Sequence, residues 1–362
     1  MKSRQVLDPN RRDVLRGICQ EAGLTGDRLE FFALQGDGSE RQFFRVRGEA
    51  SRAVALISPR QRFTGLDEND SYFLIGNHLH RCGVPVPRIY WADPDRGYFL
   101  LEDLGDFHLQ IHVNRSRGRL FHVYRHVVGL LAEMHRRARE GFEGSYCFDS
   151  VIYDAAFVYH RELEYFRERF LNGYLGLEVG PEDLRRDFEH IADAAGVGAL
   201  SQVIHRDFQS RNIMISSGKL RLVDFQGMRF GPPGYDLASL MVDPYVRLPL
   251  EVEKKVIALY WLKSRKFLDC SLQEFLESYG TVRLCRNLQV LGAYGYLGLV
   301  KDKKHFLKYI PRAWEQLCIG LRSHGRSSFP SLYKLVDQVN GTRRGRINSA
   351  LSKVFRDKSG PK

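Results

Sequence analysis

The sequence predicts an α+β fold in which a small β-rich N-terminal part precedes a large, mainly helical part. Before Gly105, turn-rich and β-rich segments alternate around one interior helical pattern. After Gly105, apolar residues recur at helical spacing over long segments. One short β-like island interrupts the helical part, between Val203 and Phe225, and it carries two polar clusters.

Each element before Gly105 follows from a local pattern. Residues 11–23 place apolar side chains at helical spacing and end at a glycine, which predicts a leading helix. β-rich segments on both sides of the turn sequence GDGS predict a hairpin, and SRAVALISP predicts another strand. A helix is predicted over 71–82, and two strands joined by the turn DPDRG follow it.

The elements after Gly105 are mainly helices. Apolar residues from Leu120 to Met134 lie close to the spacing of a long amphipathic helix. Further helices are predicted around 156–171, over 184–195 and over much of 250–340.

Composition excludes several classes of protein. The chain has 362 residues, 43% hydrophobic and 27% charged, which is ordinary for a globular protein. No secretory signal begins the sequence, and the longest nearly apolar segment, 288–300, is too short to span a bilayer. The six cysteines are scattered without zinc-site spacing. We therefore expect a cytoplasmic protein with reduced thiols and no membrane span.

The net charge of +12 raises the question of an anionic partner. The excess is diffuse except in the final segment, TRRGRINSALSKVFRDKSGPK. Such a charge run is typical of a solvated tail, which predicts at most weak contact with anions and no specific nucleic-acid partner.

The sequence HRDFQSRN, residues 205–212, places polar side chains between two apolar segments, where they are costly unless needed. Asp207, Asn212 and Asp224 have the spacing of a kinase catalytic loop followed by a metal site. Phosphoryl transfer uses a carboxylate near the acceptor hydroxyl and oxygen ligands for Mg²⁺. The pattern predicts Asp207 as the base or orienting group and Asn212 and Asp224 as metal ligands. The alternative is a pair of turns capped by Asp and Asn.

Two upstream segments predict where a nucleotide such as ATP would bind. Gly36, Gly38 and Ser39 form a turn whose backbone N–H groups could approach phosphates closely, although the same turn suits a plain hairpin. The strand FLLEDLG ends at Glu102 and Leu104, whose backbone could bind an adenine edge; the alternative is an ordinary strand end.

Four segments, GDGSERQFFRV, FLLEDLGD, HRDFQSRNIMI and VDFQGMRFGPPGYDLASL, resemble the aminoglycoside phosphotransferase-like family of kinase fold. Within it they are similar to bacterial kinases that phosphorylate N-acetylmuramate and N-acetylglucosamine at the anomeric hydroxyl. The resemblance implies a protein-kinase-like bilobal fold, use of ATP and Mg²⁺, and a sugar-like small-molecule substrate. It also implies that Asp236 braces the catalytic loop, a support that we also expect of His205. Gln209 stands where related small-molecule kinases often have histidine, so we expect it near the acceptor. Arg211, inside the loop, is expected to approach substrate or phosphate, with a salt bridge within the loop as the alternative.

These inferences divide the chain into three predicted parts. Residues 1–103 form an N-lobe with the leading helix, the nucleotide-covering turn and the hinge. Residues 104–340 form a helical C-lobe with the catalytic loop and the metal site, and 341–362 form a flexible basic tail.

The sequence departs from the kinase pattern on the phosphate side. Ile57 stands where a strand lysine would pair with the phosphates, so Arg60, Arg62 or Arg41 would have to replace it. Glu68 is the candidate helix acid that such a cation would contact.

Two alternatives to a sugar kinase remain open. A nucleotide-binding pseudokinase or regulatory module is favoured by the missing lysine but opposed by the intact Asp–Asn–Asp set. An aminoglycoside-type antibiotic kinase would need an acidic cleft for its cationic substrate, and the basic composition argues against it.

Overall fold

The computed structural model describes residues 7–24, 29–34, 41–49, 51–62, 64–115, 117–198, 200–342, 345 and 347. Strands dominate the N-terminal part and helices the C-terminal part, which confirms the α+β class. The chain divides into two compact units. The first unit comprises Met1–Arg115, Glu133–Val151 and Arg211–Met228, and the second comprises Ser116–Ala132, Ile152–Ser210 and Arg229–Lys362.

The first unit is built on an antiparallel sheet with strand order β1-β2-β3-β5-β4. Its strands are β1 (Glu30–Leu34), β2 (Gln42–Arg47), β3 (Arg52–Ile57), β4 (Ile89–Asp93) and β5 (Tyr98–Glu102). Its helices are α1 (Pro9–Glu21), α2 (Glu68–Arg81) and α3 (Leu109–Arg115). Helix α1 buries Leu15, Ile18 and Cys19 against apolar side chains of β2, β3 and β5, which forms the core of this sheet.

A short hairpin in the same unit carries the second polar cluster of the sequence. Strands β7 (Ile213–Ser216) and β8 (Lys219–Leu222) pair antiparallel through a two-residue turn. Ser217 and Gly218 both have positive φ, at 49° and 74°. A two-residue turn whose twist matches that of the strands requires positive φ at both positions. The hairpin therefore fixes the position of Asp224, which follows the end of β8 by two residues.

The second unit is mainly helical and contains one small strand pair, β6 (Gln202–Ile204) with β9 (Arg229–Gly231). Helix α4 (Leu120–Ala138) contributes residues to both units. A continuous helical segment, 155–174, includes α5 (Ala155–Val158) and α6 (Glu164–Phe166) and two π-helical stretches, Tyr159–Leu163 and Arg167–Tyr174. The remaining helices are α7 (Pro181–Gly196), α8 (Tyr235–Met241), α9 (Leu250–Ser264), α10 (Leu272–Leu299), α11 (Ile310–His324) and α12 (Pro330–Thr342).

Helix α10 is the central helix of this unit and packs against the helical segment 155–174 through glycines. A Cβ at Gly292 would lie 3.1 Å from the carbonyl oxygen of Tyr165, and a Cβ at Gly295 would lie 2.5 Å from that of Arg169. Only residues without a side chain allow two helices to approach this closely. The glycines therefore set the distance between α10 and its neighbour.

Replacing Gly295 with alanine is expected to destabilise the protein by about 1–3 kcal/mol, because the added methyl group meets backbone that cannot move freely. Gly320 in α11 offers a matched control, since nothing lies within 4 Å of a Cβ there. Alanine at Gly320 should be neutral or stabilising by about 0.5–1 kcal/mol. Denaturant unfolding checks both; equal stability of the two variants would contradict this packing.

The predicted helix boundaries differ from the observed ones because of capping residues. The leading helix begins at Pro9, where Asp8 accepts a hydrogen bond from the N–H of Arg11. Helix α2 begins at Glu68 because Asp67 and Asp70 form a capping box. In the described part of the chain, no helix is long and apolar enough to cross a bilayer.

Candidate active site

The first half of the predicted catalytic loop lies in the second unit and is fixed by two buried carboxylates. Asp236, on α8, accepts hydrogen bonds from the backbone N–H groups of His205 at 2.7 Å and Arg206 at 2.8 Å. Asp243 accepts one from the N–H of Ser210 at 2.8 Å. Arg206 has a φ of 77°, a conformation that costs about 1–3 kcal/mol and persists only where the surroundings hold it. The loop is thus held from both ends.

Asp207 is partly exposed, with 42% of its side chain accessible. Its Oδ1 lies 3.2 Å from Nη2 of Arg286, a residue of α10 that is only 1% exposed. Partial burial by itself raises the pKa of Asp207, but the charges of Arg286, Arg206 and His205 outweigh it and hold the pKa below its usual value. Asp207 is therefore an ionised carboxylate open to a ligand.

The second half of the motif lies in the first unit. Asn212 Nδ2 lies 3.5 Å from Oδ2 of Asp224, and the amide of Gln226 donates to Oδ1 of Asp224 at 3.0 Å. Asp224 has a φ of 65°, which turns the chain sharply after β8, and 44% of its side chain is exposed. The sequence pattern therefore places an amide and a carboxylate side by side at one point of the fold.

The carboxylate oxygens of Asp224 and the oxygens of the neighbouring side-chain amides are the kind of ligand that Mg²⁺ prefers. Oε1 of Gln226, a residue only 8% exposed, has no hydrogen-bond partner among the described residues. In the described part of the chain, no group of three or more His, Cys, Asp or Glu side chains could hold a metal ion. A cation at Asp224 would consequently depend on amide, phosphate and water oxygens as well.

Arg41 is the cation that reaches this carboxylate. Its guanidinium forms an ion pair with Glu68 on α2, and its Nη1 lies 3.5 Å from Oδ1 of Asp224. The amide of Gln226 also donates to Glu68, at 3.2 Å. Ile57, at the lysine position of the kinase pattern, is buried in the sheet core.

The other two candidate arginines are engaged elsewhere. Arg60 binds Asp70 at 2.8 Å and Asp95 at 3.1 Å, and Arg62 donates to the carbonyl oxygen of Phe148. Of the three arginines that the sequence offered, the structure brings Arg41 to Asp224.

The predicted hinge is held by its side chains. The carboxylate of Glu102 accepts hydrogen bonds from Arg221 at 2.6 and 3.1 Å and from the N–H of Arg88 at 3.1 Å. The N–H of Glu102 donates to the carbonyl oxygen of Arg88 at 2.9 Å. The backbone N–H of Leu104 donates to no described residue. An adenine contact here would therefore use Leu104 rather than the N–H of Glu102.

Of the remaining predicted site residues, some lie outside the described part of the chain and others have defined hydrogen bonds. Gly36, Gly38 and Ser39 lie outside the described residues. Arg211 donates from its Nε to Oε1 of Gln110 at 2.9 Å, and the N–H of Gln209 donates to the carbonyl oxygen of Asp207 at 2.8 Å.

Sequence reasoning missed Arg286, Asp243 and Gln226. Arg286 is 79 residues from Asp207 along the chain and lies within a helix whose pattern indicates only burial. Asp243 follows α8 without a motif, whereas Gln226 stands where the kinase pattern has glycine, a signal that was available in the sequence.

A family model described as the phosphotransferase enzyme family matches residues 32–260. The chain belongs to this family, which confirms the predicted resemblance, and it is an enzyme that transfers a phosphoryl group to a hydroxyl.

Particular relatives narrow this class. The chain is 28% identical to the N-acetylmuramate/N-acetylglucosamine kinase of Pseudomonas aeruginosa over 302 residues, 80% of this chain and 82% of the relative. Among solved structures, it is similar to the choline kinase LicA from Streptococcus pneumoniae, with TM-score 0.57 and 13% identity over 84% of this chain and 99% of that one. It is also similar to an ADP-bound aminoglycoside phosphotransferase, with TM-score 0.53 and 14% identity over 84% of this chain and 98% of that one. These likenesses confirm the predicted kinase-like fold.

Proposed function

We propose that the protein transfers the γ-phosphoryl group of ATP to a hydroxyl of a sugar or amino sugar, and that the favoured acceptors are N-acetylmuramate and N-acetylglucosamine. The observation that carries the proposal is the Asp207 carboxylate, which is partly exposed and lies 3.2 Å from the buried guanidinium of Arg286. The named activity of the Pseudomonas aeruginosa relative supports the choice of acceptor. Because ATP is an intracellular donor, we also propose that the enzyme is cytoplasmic.

In this proposal Asp207 acts on the acceptor. Its carboxylate accepts a hydrogen bond from the attacking hydroxyl and orients the oxygen towards the γ-phosphorus. It takes the proton as the new O–P bond forms and the bond from the γ-phosphorus to the bridging oxygen breaks, which releases ADP. A carboxylate with a lowered pKa is fully ionised at neutral pH and therefore always ready to accept that bond. The loop contacts to Asp236 and Asp243 keep it in one orientation.

Asn212 and Asp224 would hold Mg²⁺ through their side-chain oxygens, and Oε1 of Gln226, which has no hydrogen-bond partner among the described residues, is an additional candidate ligand. When bound, Mg²⁺ neutralises charge on the phosphate oxygens during transfer. The 3.5 Å contact between Arg41 and Asp224 keeps a positive charge at the same point of the fold.

Arg41 would take the part of the missing strand lysine. Kinases pair that lysine with a helix glutamate and use it to bind the α and β phosphates. Here Arg41, two residues after Ser39 in the sequence, forms the corresponding pair with Glu68. We propose that Gly36, Gly38 and Ser39 cover the phosphates beside it.

The adenine and the acceptor would be bound by separate groups. The N–H of Leu104, which donates to no described residue, lies two residues after Glu102 in the sequence and would bind the adenine edge. Gln209 and Arg211 follow Asp207 by two and four positions in the sequence, and we propose that they contact the acceptor. The basic tail, most of which lies outside the described residues, has no assigned part in the reaction.

An acceptor panel tests this function. Purified protein is incubated with ATP and Mg²⁺ and with N-acetylmuramate, N-acetylglucosamine, glucose or kanamycin in turn, and ADP release is measured. We expect acceptor-dependent ADP release with an N-acetylated sugar, abolished by chelating Mg²⁺. ADP release with kanamycin alone would indicate an antibiotic kinase. A rise in melting temperature with ATP, without turnover on any acceptor, would indicate a nucleotide-binding regulatory module.

A further inference from the structure

We propose that Arg286, anchored by Glu162, is a positioning residue that holds the Asp207 carboxylate in the orientation and charge state that the reaction requires. This inference rests on the proposed catalytic role of Asp207. Arg286 itself is 1% exposed and acts through Asp207 rather than on a ligand.

The geometry places Arg286 between two carboxylates. Its Nη2 donates to Oδ1 of Asp207 at 3.2 Å, and its Nη1 lies 3.8 Å from Oε1 of Glu162 and donates to Gln289 at 3.2 Å. The guanidinium also lies over the ring of Tyr235, with Cζ 5.2 Å from the ring centroid. Because the fork is planar and held on several sides, the Nη2 donor points in one direction.

Glu162 is itself fixed by hydrogen bonds. The hydroxyl of Tyr153 donates to its Oε2 at 2.6 Å, and the hydroxyl of Tyr235 donates to its Oε1 at 3.1 Å. Burial raises the pKa of both tyrosines, so they stay protonated and act as donors. Glu162 lies in the π-helical stretch Tyr159–Leu163, a kind of helix distortion that occurs frequently at functional sites.

Close packing between two helical elements supports the pairing of Arg286 with Glu162. Arg286 is on α10 and Glu162 is on the segment 155–174, and Gly292 and Gly295 bring these two elements into direct backbone contact. The distance between Arg286 and Glu162 is therefore set by rigid elements rather than by loops.

Charged and titratable groups face Asp207 from outside its own loop as well as from within it. Arg286 faces it from α10 and Tyr235 from α8, while His205 and Arg206 face it from its own loop. Burial lowers the pKa of Arg286, but its neighbours Tyr235, Asp207 and Glu162 raise it above the usual value, so Arg286 stays cationic. Glu162 balances the charge of Arg286 near Nη1, whereas Asp207 is near Nη2.

The test is the pH dependence of kcat/KM for the full-length enzyme with its acceptor, measured for Arg286→Met, Arg286→Lys and a control. Since the base must be ionised, activity falls as pH drops through the pKa of Asp207. Removing the cation raises that pKa, so Arg286→Met should move the acid limb to higher pH by about one unit or more. It should also lower kcat by about 10- to 100-fold through misorientation, with ATP affinity unchanged. Arg286→Lys keeps a charge and should return the limb towards the wild-type position.

Arg283 provides the matched control. It lies on the same helix and forms a 2.7 Å ion pair with the buried Glu253. Arg283→Met should lower the melting temperature without moving the acid limb.

A folded Arg286→Met enzyme with an unmoved limb, or an equal shift in Arg283→Met, would overturn the inference. If Arg286→Met does not fold, the same profile is measured for Arg286→Gln, which also removes the charge, and a folded Arg286→Gln enzyme with an unmoved limb would overturn it. If Asp207→Asn is inactive in these outcomes, only this inference fails, whereas an active Asp207→Asn enzyme would overturn the proposed function itself.

Discussion

Replacing Asp207 with asparagine is expected to lower kcat by about 10²- to 10⁴-fold, the range that a positioned general base contributes. The shape of the side chain and its ability to accept a hydrogen bond from Arg286 are retained, so the loop should keep its conformation. What is lost is the charge that attracts and receives the proton of the acceptor. ATP affinity should stay within about twofold of wild type, because the residues proposed to bind ATP are not changed.

The measurements for this variant are steady-state turnover with the best acceptor of the panel and ATP binding by calorimetry. Asp193→Asn makes the same chemical change at an exposed position of α7 and serves as the control. Turnover of Asp207→Asn at the wild-type rate would contradict the catalytic assignment. Loss of ATP binding together with turnover would place Asp207 on the nucleotide side instead.

Replacing Arg41 with methionine is expected to lower kcat/KM for ATP by about 30- to 1,000-fold. The change removes a charge-assisted contact to phosphate and leaves Glu68 and Asp224 without their cation, which costs about 2–4 kcal/mol. Each 1.4 kcal/mol corresponds to about tenfold. The effect should appear mainly in KM for ATP, whereas KM for the acceptor should hardly change.

Arg60→Met is the matched control for Arg41. Arg60 is similarly shielded, with 14% of its side chain exposed, and it also pairs with two carboxylates, Asp70 and Asp95. Its substitution should reduce stability and leave KM for ATP near the wild-type value. If Arg60→Met raises KM for ATP more than Arg41→Met does, Arg60 replaces the strand lysine and the assignment of Arg41 is wrong.

The sequence predicted the polar loop and its supports because they are local patterns. Asp207, Asn212 and Asp224 lie beside short strands, and Asp236 accepts a hydrogen bond from the loop. The choice among the three arginines could not be predicted. Arg41 and Arg60 lie near the ends of neighbouring strands, and strand pairing and the start of α2 decide which one reaches Glu68.

Contacts between residues far apart in the sequence also could not be predicted. Arg286 and Glu162 come from helices far apart in the sequence, and their patterns indicate only that these helices are buried. The glycines of α10 reduce helix propensity, and their purpose is evident only from the backbone that they approach. Buried polar residues on apolar helices are thus the positions whose contacts could not be predicted from the sequence.

The central claim is that Asp207 directs phosphoryl transfer from ATP to a sugar hydroxyl, and ³¹P NMR of the reaction mixture tests it most directly. Wild-type protein with Mg²⁺, ATP and N-acetylmuramate or N-acetylglucosamine should convert the γ-phosphate resonance of ATP into that of a sugar phosphate monoester. The same mixture with Asp207→Asn should show almost none of that conversion. Inorganic phosphate as the sole product, or equal sugar phosphate from both proteins, would contradict the account.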